Sequence, residues 1–395
     1  MNNRLDETAS GGGIKPSARL SKKDRKRILI IGIGAPFGGV ESYILGLVDL
    51  FGEKAQLFAL CGLPELAARL RRANVKVFRI PVVRSPGGSL ILFQLSNLVR
   101  LIVAFAILPV LVLRYRIDIV QVNGYYESLL VLPARLLGCA IVRTSHSSSE
   151  IDRYRWYREP TKYFPRLAAM HLLKLATKVI CVSEAVGKDV LQNVPADKVV
   201  VIPNWVPEVP VAKTEPESLS PPIKLLYVGR LEQYKGLHLL LEAIRGMKGL
   251  HLTVVGVGSY REELERLAQG LDVEFKGFCA NTAPFYEEAD IFINPSLGPE
   301  GLPIVSLESM AHGLPCIFSA LPVHREISDN GVASLLFQVG DANDLRAKLL
   351  RLVEDQSMRR SLSQRARNII HERYSPDAAR RAYTRAFELR EEYST

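Results

Sequence analysis

Two short stretches hold the residue types that could do chemistry. In "YVGRLEQYKG", Tyr227 to Gly236, Arg230 and Lys235 place two cations in one loop behind Gly229. A glycine at a strand end lets backbone approach a ligand, a guanidinium offers a planar fork to phosphate oxygens, and an ammonium adds a point charge. Together they suit a diphosphate. In "PEGLPIVSLESMAHGLP", Pro299 to Pro315, Glu300 opens an expected helix and Glu308 stands eight residues later on it. A carboxylate accepts hydrogen bonds from two neighbouring hydroxyls, which suits a diol, and the helix-start amides of Gly301 and Leu302 suit phosphate or sugar oxygens. Plainer readings leave the same trace: a solvated basic loop, a capping Glu300 and a surface Glu308. Against the last, Glu308 sits inside the apolar run Ile304 to Met310, where an unpaired charge is costly.

A third stretch, "ILIIGIGAPFGGVESYILGL" at 28–47, is an apolar strand running through glycines into a helix. It begins like a dinucleotide fingerprint, but after Gly32-Ile33-Gly34 the next glycine, Gly38, comes one residue late. A nicotinamide site also needs an acidic residue about 20 residues on to hold the ribose. The second strand, Ala55 to Leu60, ends instead in Cys61-Gly62. The glycines therefore need another use.

Strand-length apolar stretches alternate with helical patterns and supply the frame. They are Ile28–Ile33, Gln56–Leu60, Val75–Ile80, Ile117–Val122, Ala140–Thr144 and Lys178–Val182. Strands separated by helices imply right-handed crossovers and a parallel sheet covered on both faces. Six prolines between 203 and 222 then mark a linker, after which the pattern restarts. Its strands are Lys224–Val228, Leu252–Val255, Val273–Phe275, Ile291–Ile293, Pro315–Phe318 and Ser334–Phe337. The expectation is an α/β chain of two Rossmann-like domains, at 28–202 and 223–375, with a ligand cleft between them. Helical patterns follow over Asp344–Arg373 and Pro376–Glu392, the second capped by Ser375. The segment 376–395 is a terminal helix that can pack back on the first domain.

At 395 residues, 48% hydrophobic and 23% charged, the chain has the make-up of a soluble globular protein with room for two cores. Its +10 charge is uneven: residues 1–27 carry eight basic against three acidic groups, 28–200 carry 21 against 12, and 201–395 carry 22 against 26. A basic first half suits an anionic partner, such as a phosphorylated acceptor, an acidic membrane face or nucleic acid, or simply keeps the protein soluble. The five cysteines are scattered without metal or redox spacing and read as reduced thiols. Residues 1–27, with Gly11-Gly12-Gly13 and a basic cluster, read as a disordered basic tail. The run Leu101–Leu113 is 13 residues long and contains Pro109, whereas a spanning helix needs about 20, so it reads as a buried or membrane-grazing helix. "RYRWYREPTKYFPR", 153–166, interleaves cations with aromatic rings and suits a sugar chain, a lipid-linked diphosphate, a bilayer surface or a plain surface helix. No recognition module for nucleic acid accompanies it.

Glu300 and Glu308, preceded by "IPNWV" at 202–206 and "GRLEQYKG" at 229–236, resemble the motifs of the retaining glycosyltransferases of family 4, with the GT-B fold. "GGVES" at 38–42, "SEAV" at 183–186 and "VEFKGF" at 273–278 fall in the same order and spacing, so the likeness spans nearly all the chain after residue 27. It implies an acceptor-side first domain and a donor-binding second one. Arg230 and Lys235 would neutralise the leaving nucleoside diphosphate, Glu308 would bind the ribose diol, and Glu300 would hold donor sugar hydroxyls. Gly229 would approach the donor, Gly277-Phe278 would border the base, and Gly301 and Leu302 would offer amides. Gly38 and Gly39 would approach the phosphates and reacting sugar, and His146 in "RTSHSSSE" would sit near that sugar.

Ser145 and Ser147 stand where the family often has a second histidine, and Ala35-Pro36-Phe37 precede Gly38; both departures bear on sugar and acceptor identity. The implied reaction moves a sugar from a nucleotide-diphosphate donor to a carbohydrate or lipid-linked acceptor with retention, in polysaccharide or glycoconjugate synthesis. The implied chemistry needs no cofactor. No Asp-x-Asp occurs, so no metal is expected and activity should survive chelation. The expected location is cytoplasmic, either soluble or on the cytoplasmic membrane face. A nucleotide-sugar 2-epimerase and a non-catalytic carbohydrate-binding protein share this layout.

Overall fold

A computed structural model describes residues 25–32, 39–80, 90–123, 127–146, 172–206, 219–298 and 300–389. Gly38, the stretch 153–166 and the first 24 residues of the basic tail lie outside them. The first sheet contains β1 (Lys26–Gly32), β2 (Ala55–Cys61), β3 (Lys76–Arg79), β4 (Ile119–Val122), β5 (Ala140–Ser145), β6 (Lys178–Cys181) and β7 (Val199–Val201). Its order is β3-β2-β1-β4-β5-β6-β7, and every pairing is parallel. β1 and β4 are near-continuous apolar runs because both sheet faces are covered. Helices α1 (Gly39–Phe51) and α2 (Pro64–Arg72) cover one face. Helices α3 (Leu90–Tyr115), α4 (Val131–Leu136) and α5 (Glu184–Val190) cover the other.

The second sheet contains β8 (Ile223–Val228), β9 (Leu250–Val255), β10 (Val273–Gly277), β11 (Ile291–Asn294), β12 (Cys316–Ser319) and β13 (Leu335–Phe337). Its order is β10-β9-β8-β11-β12-β13, again parallel throughout. Around it lie α6 (Leu237–Ile244), α7 (Arg261–Leu267), α8 (Ala283–Glu288), α9 (Ile304–Ala311), α10 (Pro322–Ile327), α11 (Ala342–Glu354) and α12 (Gln356–Arg373). One apolar cluster includes Val182 and Val186 of the first domain with Leu302, Val323 and Ile327 of the second. The last helix, α13 (Pro376–Ala386), packs on α1, where Tyr383 hydroxyl bonds that of Tyr43 at 2.7 Å. Strand order reverses between β1 and β4 and between β8 and β11. Ligands of doubly wound sheets sit at such points, beyond the carboxyl ends of the strands.

The expected strands all form, each within a few residues of its expected bounds, and the twin Rossmann-like layout is present. β7 escaped the sequence reading because its three residues, between Lys198 and the apolar Ile202, form a run too short to show periodicity. β1 opens at Lys26, inside the expected tail, because Lys26 and Arg27 pair with Ala55 and Gln56. Residues 203–206, expected as linker, are packed: Trp205 lies against Tyr43 and Tyr383, in the space left by Gly46. The helical pattern of 344–373 is two helices, because the Asp355 side chain accepts the Met358 amide and starts α12 anew.

α3 departs furthest from expectation. The apolar core of 13 residues extends to a helix of 26, with Pro109 inside it. Its window Leu98–Tyr115 has mean hydropathy 2.2 and is long and apolar enough to cross a membrane, yet only 28% of it is buried. Ala104, Leu108, Leu111 and Val112 fix the inner side in the domain core, so the buried alternative holds for that side of the helix.

Candidate functional site

Arg230 and Lys235 follow β8, and Glu300 follows β11, so the three residues flank the reversal point of the second sheet. Local packing brings the loops together. Gly236 has φ +72° and caps the turn before α6; a side-chain carbon there would lie 2.0 Å from the Pro295 carbonyl oxygen, so only glycine fits. The Tyr234 carbonyl accepts the Leu297 amide at 2.7 Å and the Gly298 amide at 3.1 Å, which ties the β8 loop to the β11 loop.

The result is a close ion pair. Lys235 Nζ donates to Glu300 Oε1 at 2.6 Å, with side chains 17% and 9% exposed. Burial pushes the Glu300 carboxyl up, but the charge and hydrogen bond of Lys235 pull it further down, helped by His324 and Ser296, so it stays below its ordinary value. Arg230 and Lys235 both reach the Tyr234 ring, at 5.5 and 5.3 Å from its centroid, and Arg230 hydrogen-bonds the Tyr234 hydroxyl. Tyr227 hydroxyl donates to the Arg230 carbonyl at 2.9 Å, while a side-chain carbon on Gly229 would sit 3.0 Å from that hydroxyl. An ammonium with two further N–H groups and a guanidinium in one partly open place can receive phosphate oxygens without giving up Glu300.

The first domain closes on this site from β5. A side-chain carbon on Gly301 would lie 1.8 Å from the His146 carbonyl oxygen, so the domains meet here backbone to backbone. His146 stacks edge-on against Tyr43, with ring centroids 4.6 Å apart, and its Nε2 is buried without a hydrogen-bond partner among the described residues. Burial, with Arg143 nearby, pushes it down to about 3, so the imidazole is neutral at neutral pH. Asn204 Nδ2 donates to the Leu302 carbonyl at 2.9 Å and fixes the same seam. Gly39 opens α1 with open space where its side chain would be.

Glu300, Gly301 and Leu302 lie before the helix rather than on its first turn. α9 starts at Ile304 because Pro303 takes an extended cap conformation, φ −72° and ψ 110°. Glu308 is on α9 and apart from the ion pair: Tyr286 hydroxyl donates to its Oε2 at 2.9 Å. Burial raises the Glu308 carboxyl despite that bond. The charge is thus not stranded, and the tyrosine that partners it had no signal in the sequence. Phe278, just beyond β10, is 58% exposed, an apolar ring presented to solvent.

Two further residues were not singled out from sequence. His324 on α10 is buried, and its Nδ1 faces the Ser319 carbonyl at 2.8 Å, which makes it the donor and leaves Nε2 an acceptor without a partner among the described residues. Burial pushes it down to about 4, against the opposing pull of Glu300. Two residues on, the Glu326 carboxylate accepts the amides of Glu184 and Ala185 at 2.9 and 3.3 Å, so one domain caps α5 of the other. "PVHREI" belongs to no motif, and both roles depend on contacts more than a hundred residues away or on burial.

The model of the family described as "Glycosyltransferase Family 4" matches residues 37–208, and that of "Glycosyl transferases group 1" matches 222–355. The lipopolysaccharide core biosynthesis glycosyltransferase LpsE of Rhizobium meliloti is 31% identical over 163 residues, 40% of this chain and 48% of its own. The amylovoran biosynthesis glycosyltransferase AmsK of Erwinia amylovora is 28% identical over 229 residues, 54% of this chain and 55% of its own. The matched region thus spans about half the length of these relatives. Among solved structures, Anabaena HepE in complex with UDP and glucose superposes with TM-score 0.75 at 19% identity, covering 92% of this chain and 100% of that one. Sucrose-phosphate synthase from Thermosynechococcus elongatus does so with TM-score 0.77 at 18% identity, covering 92% and 98%. The fold is GT-B.

Proposed function

This chain belongs to the family 4, group 1 glycosyltransferases, and from that premise we propose that it moves a sugar from a nucleotide-diphosphate donor to a carbohydrate or lipid-linked acceptor with retention, in polysaccharide or glycoconjugate synthesis. The observation that carries the reading is the Lys235–Glu300 pair beside Arg230, at the strand reversal of the second domain and against His146 of the first. Lys235 and Arg230 offset the negative charge that grows on the departing diphosphate, a preorganised electrostatic task. Glu300, held ionised by Lys235, accepts sugar hydroxyls. Neutral His146 presents a buried ring nitrogen to the sugar from the opposite side. Glu308 accepts the ribose diol, and Phe278 stacks on the base. In this reaction the leaving phosphate takes the acceptor proton, and no metal is needed.

The test is donor turnover. Purified protein is incubated with UDP-, GDP- and ADP-sugars and a cell-envelope extract, with and without EDTA, and the nucleoside diphosphate and the anomeric configuration of the product are measured. Retained configuration and chelator-resistant release support the proposal. An inverted product, or turnover abolished by EDTA, contradicts it.

A further inference from the structure

We propose that α3 and α4 form a docking surface for an anionic phospholipid bilayer. Of the large apolar residues exposed on the described surface, Leu98, Val99, Ile102, Phe105, Val110 and Leu113 lie on α3, and Leu132 and Leu136 on the adjoining α4. Residues 98, 102, 105, 109 and 113 follow a three-to-four spacing and share one side of the helix. The stripe is about 22 Å long at the usual helical rise. Ile102 is 60% exposed, Leu113 67% and Leu136 79%. Patches of this extent mark contact sites, because water exacts a cost on each of these side chains.

Charge identifies what covers the patch. No Asp or Glu occurs between Leu90 and Arg116, or between Ser128 and Gly138. Arg114 and Arg116 stand exposed at the end of α3, and Arg135 at the end of α4. Arg27 joins them, its Nη1 3.5 Å from the Arg116 carbonyl oxygen. A carboxylate beside them, Asp118, accepts the Arg27 backbone amide at 2.7 Å. A ridge of hydrocarbon ending in guanidinium groups matches an acyl layer bordered by phosphates: the stems lie along the apolar boundary and the heads reach the anions. A ridge of this kind needs no shape-matched groove in the partner. The inner side of α3 stays in the domain core through Ala104, Leu108, Leu111 and Val112, so the helix docks with the domain attached and does not have to leave it. The proposal rests on the exposed residues of α3 and α4, none of which is assigned a part in the chemistry of the cleft.

Vesicle flotation of the full chain tests it, with phosphatidylglycerol mixed into phosphatidylcholine against phosphatidylcholine alone. The wild type is expected to float with the anionic vesicles. A triple variant, Ile102→Ser with Leu113→Ser and Leu136→Ser, and a charge variant, Arg114→Glu with Arg135→Glu, should each lower partitioning by about tenfold or more. Nucleotide binding should stay at the wild-type level in both, which shows that the cleft and fold persist. Three results would overturn the proposal: a wild type that stays with the soluble fraction, a triple variant that floats as well as the wild type, and equal flotation with neutral and anionic vesicles. A wild-type dimer that the triple variant dissolves, without vesicle binding, would assign the face to a second copy of this chain instead.

Discussion

Replacing Lys235 with methionine tests whether the ion pair is a single electrostatic unit. The Glu300 side chain is 9% exposed and its carboxylate is held 2.6 Å from Lys235 Nζ. Removing one partner of a buried pair typically costs about 3–5 kcal/mol, because a charge is left in a poorly solvated place. Lys235 is 17% exposed, so some water reaches the pair, and the lower end, about 3 kcal/mol, is the expectation at neutral pH. For domains of this size that corresponds to a fall in Tm of roughly 6–12 °C.

The pH dependence has a definite sign. In the wild type the Glu300 carboxyl lies below its ordinary value of 4.5, so its stabilisation is present above that value and lost as pH falls through the lower folded value. Without Lys235 burial dominates and raises the folded value. The cost then grows as pH rises past the unfolded value and shrinks on acidification. Scanning calorimetry should find the gap between Lys235→Met and wild type larger at neutral pH than near the unfolded carboxyl value. The double variant Lys235→Met with Glu300→Gln should recover part of the loss, since no charge remains stranded. A Tm difference independent of pH, or a double variant no more stable than the single one, would refute the reasoning. Turnover of Lys235→Met should fall by about 10²-fold or more, as for loss of one charge-stabilising donor.

Three further outcomes follow from the same geometry. Glu308→Gln keeps an acceptor for the Tyr286 hydroxyl and removes a carboxylate that burial disfavours; Tm at neutral pH should be equal or higher, while calorimetric titration shows weaker nucleoside diphosphate binding. Phe278→Ala should weaken nucleotide binding by about 0.5–1.5 kcal/mol with unchanged Tm, because the ring is exposed and its value lies in stacking. Gly301→Ala puts a carbon 1.8 Å from the His146 carbonyl, so activity should collapse and Tm fall by an overpacking cost of about 1–3 kcal/mol.

Much of the architecture was legible because its signals are local. Apolar runs such as Ile223–Val228 read as strands wherever both sheet faces are covered, and the prolines from Pro207 to Pro222 mark the break between the two domains. The loops bearing Arg230, Lys235 and Glu300 could be found from residue type and from a family resemblance. That Lys235 meets Glu300, 65 residues on, could not, since periodicity gives the face of an element and says nothing of its partner. Tyr286, His324 and Glu326 were missed for that reason: each acquires a role only through burial or a distant contact. The extent of α3 was hidden differently. Gln94, Ser96, Asn97 and Arg100 dilute its first half, and Pro109 reads as a break, although the helix continues through it.

The central claim is that the cleft holds a nucleoside diphosphate between Arg230, Lys235 and the first domain. Thermal melting against UDP, GDP and ADP measures this directly. A ligand at 100 times its dissociation constant stabilises by about 2.7 kcal/mol, which for a domain of about 150–250 residues raises Tm by roughly 5–10 °C. One of the three should produce that shift in the wild type and lose it in Lys235→Met. No shift with any of them, or the same shift in both proteins, would contradict the account.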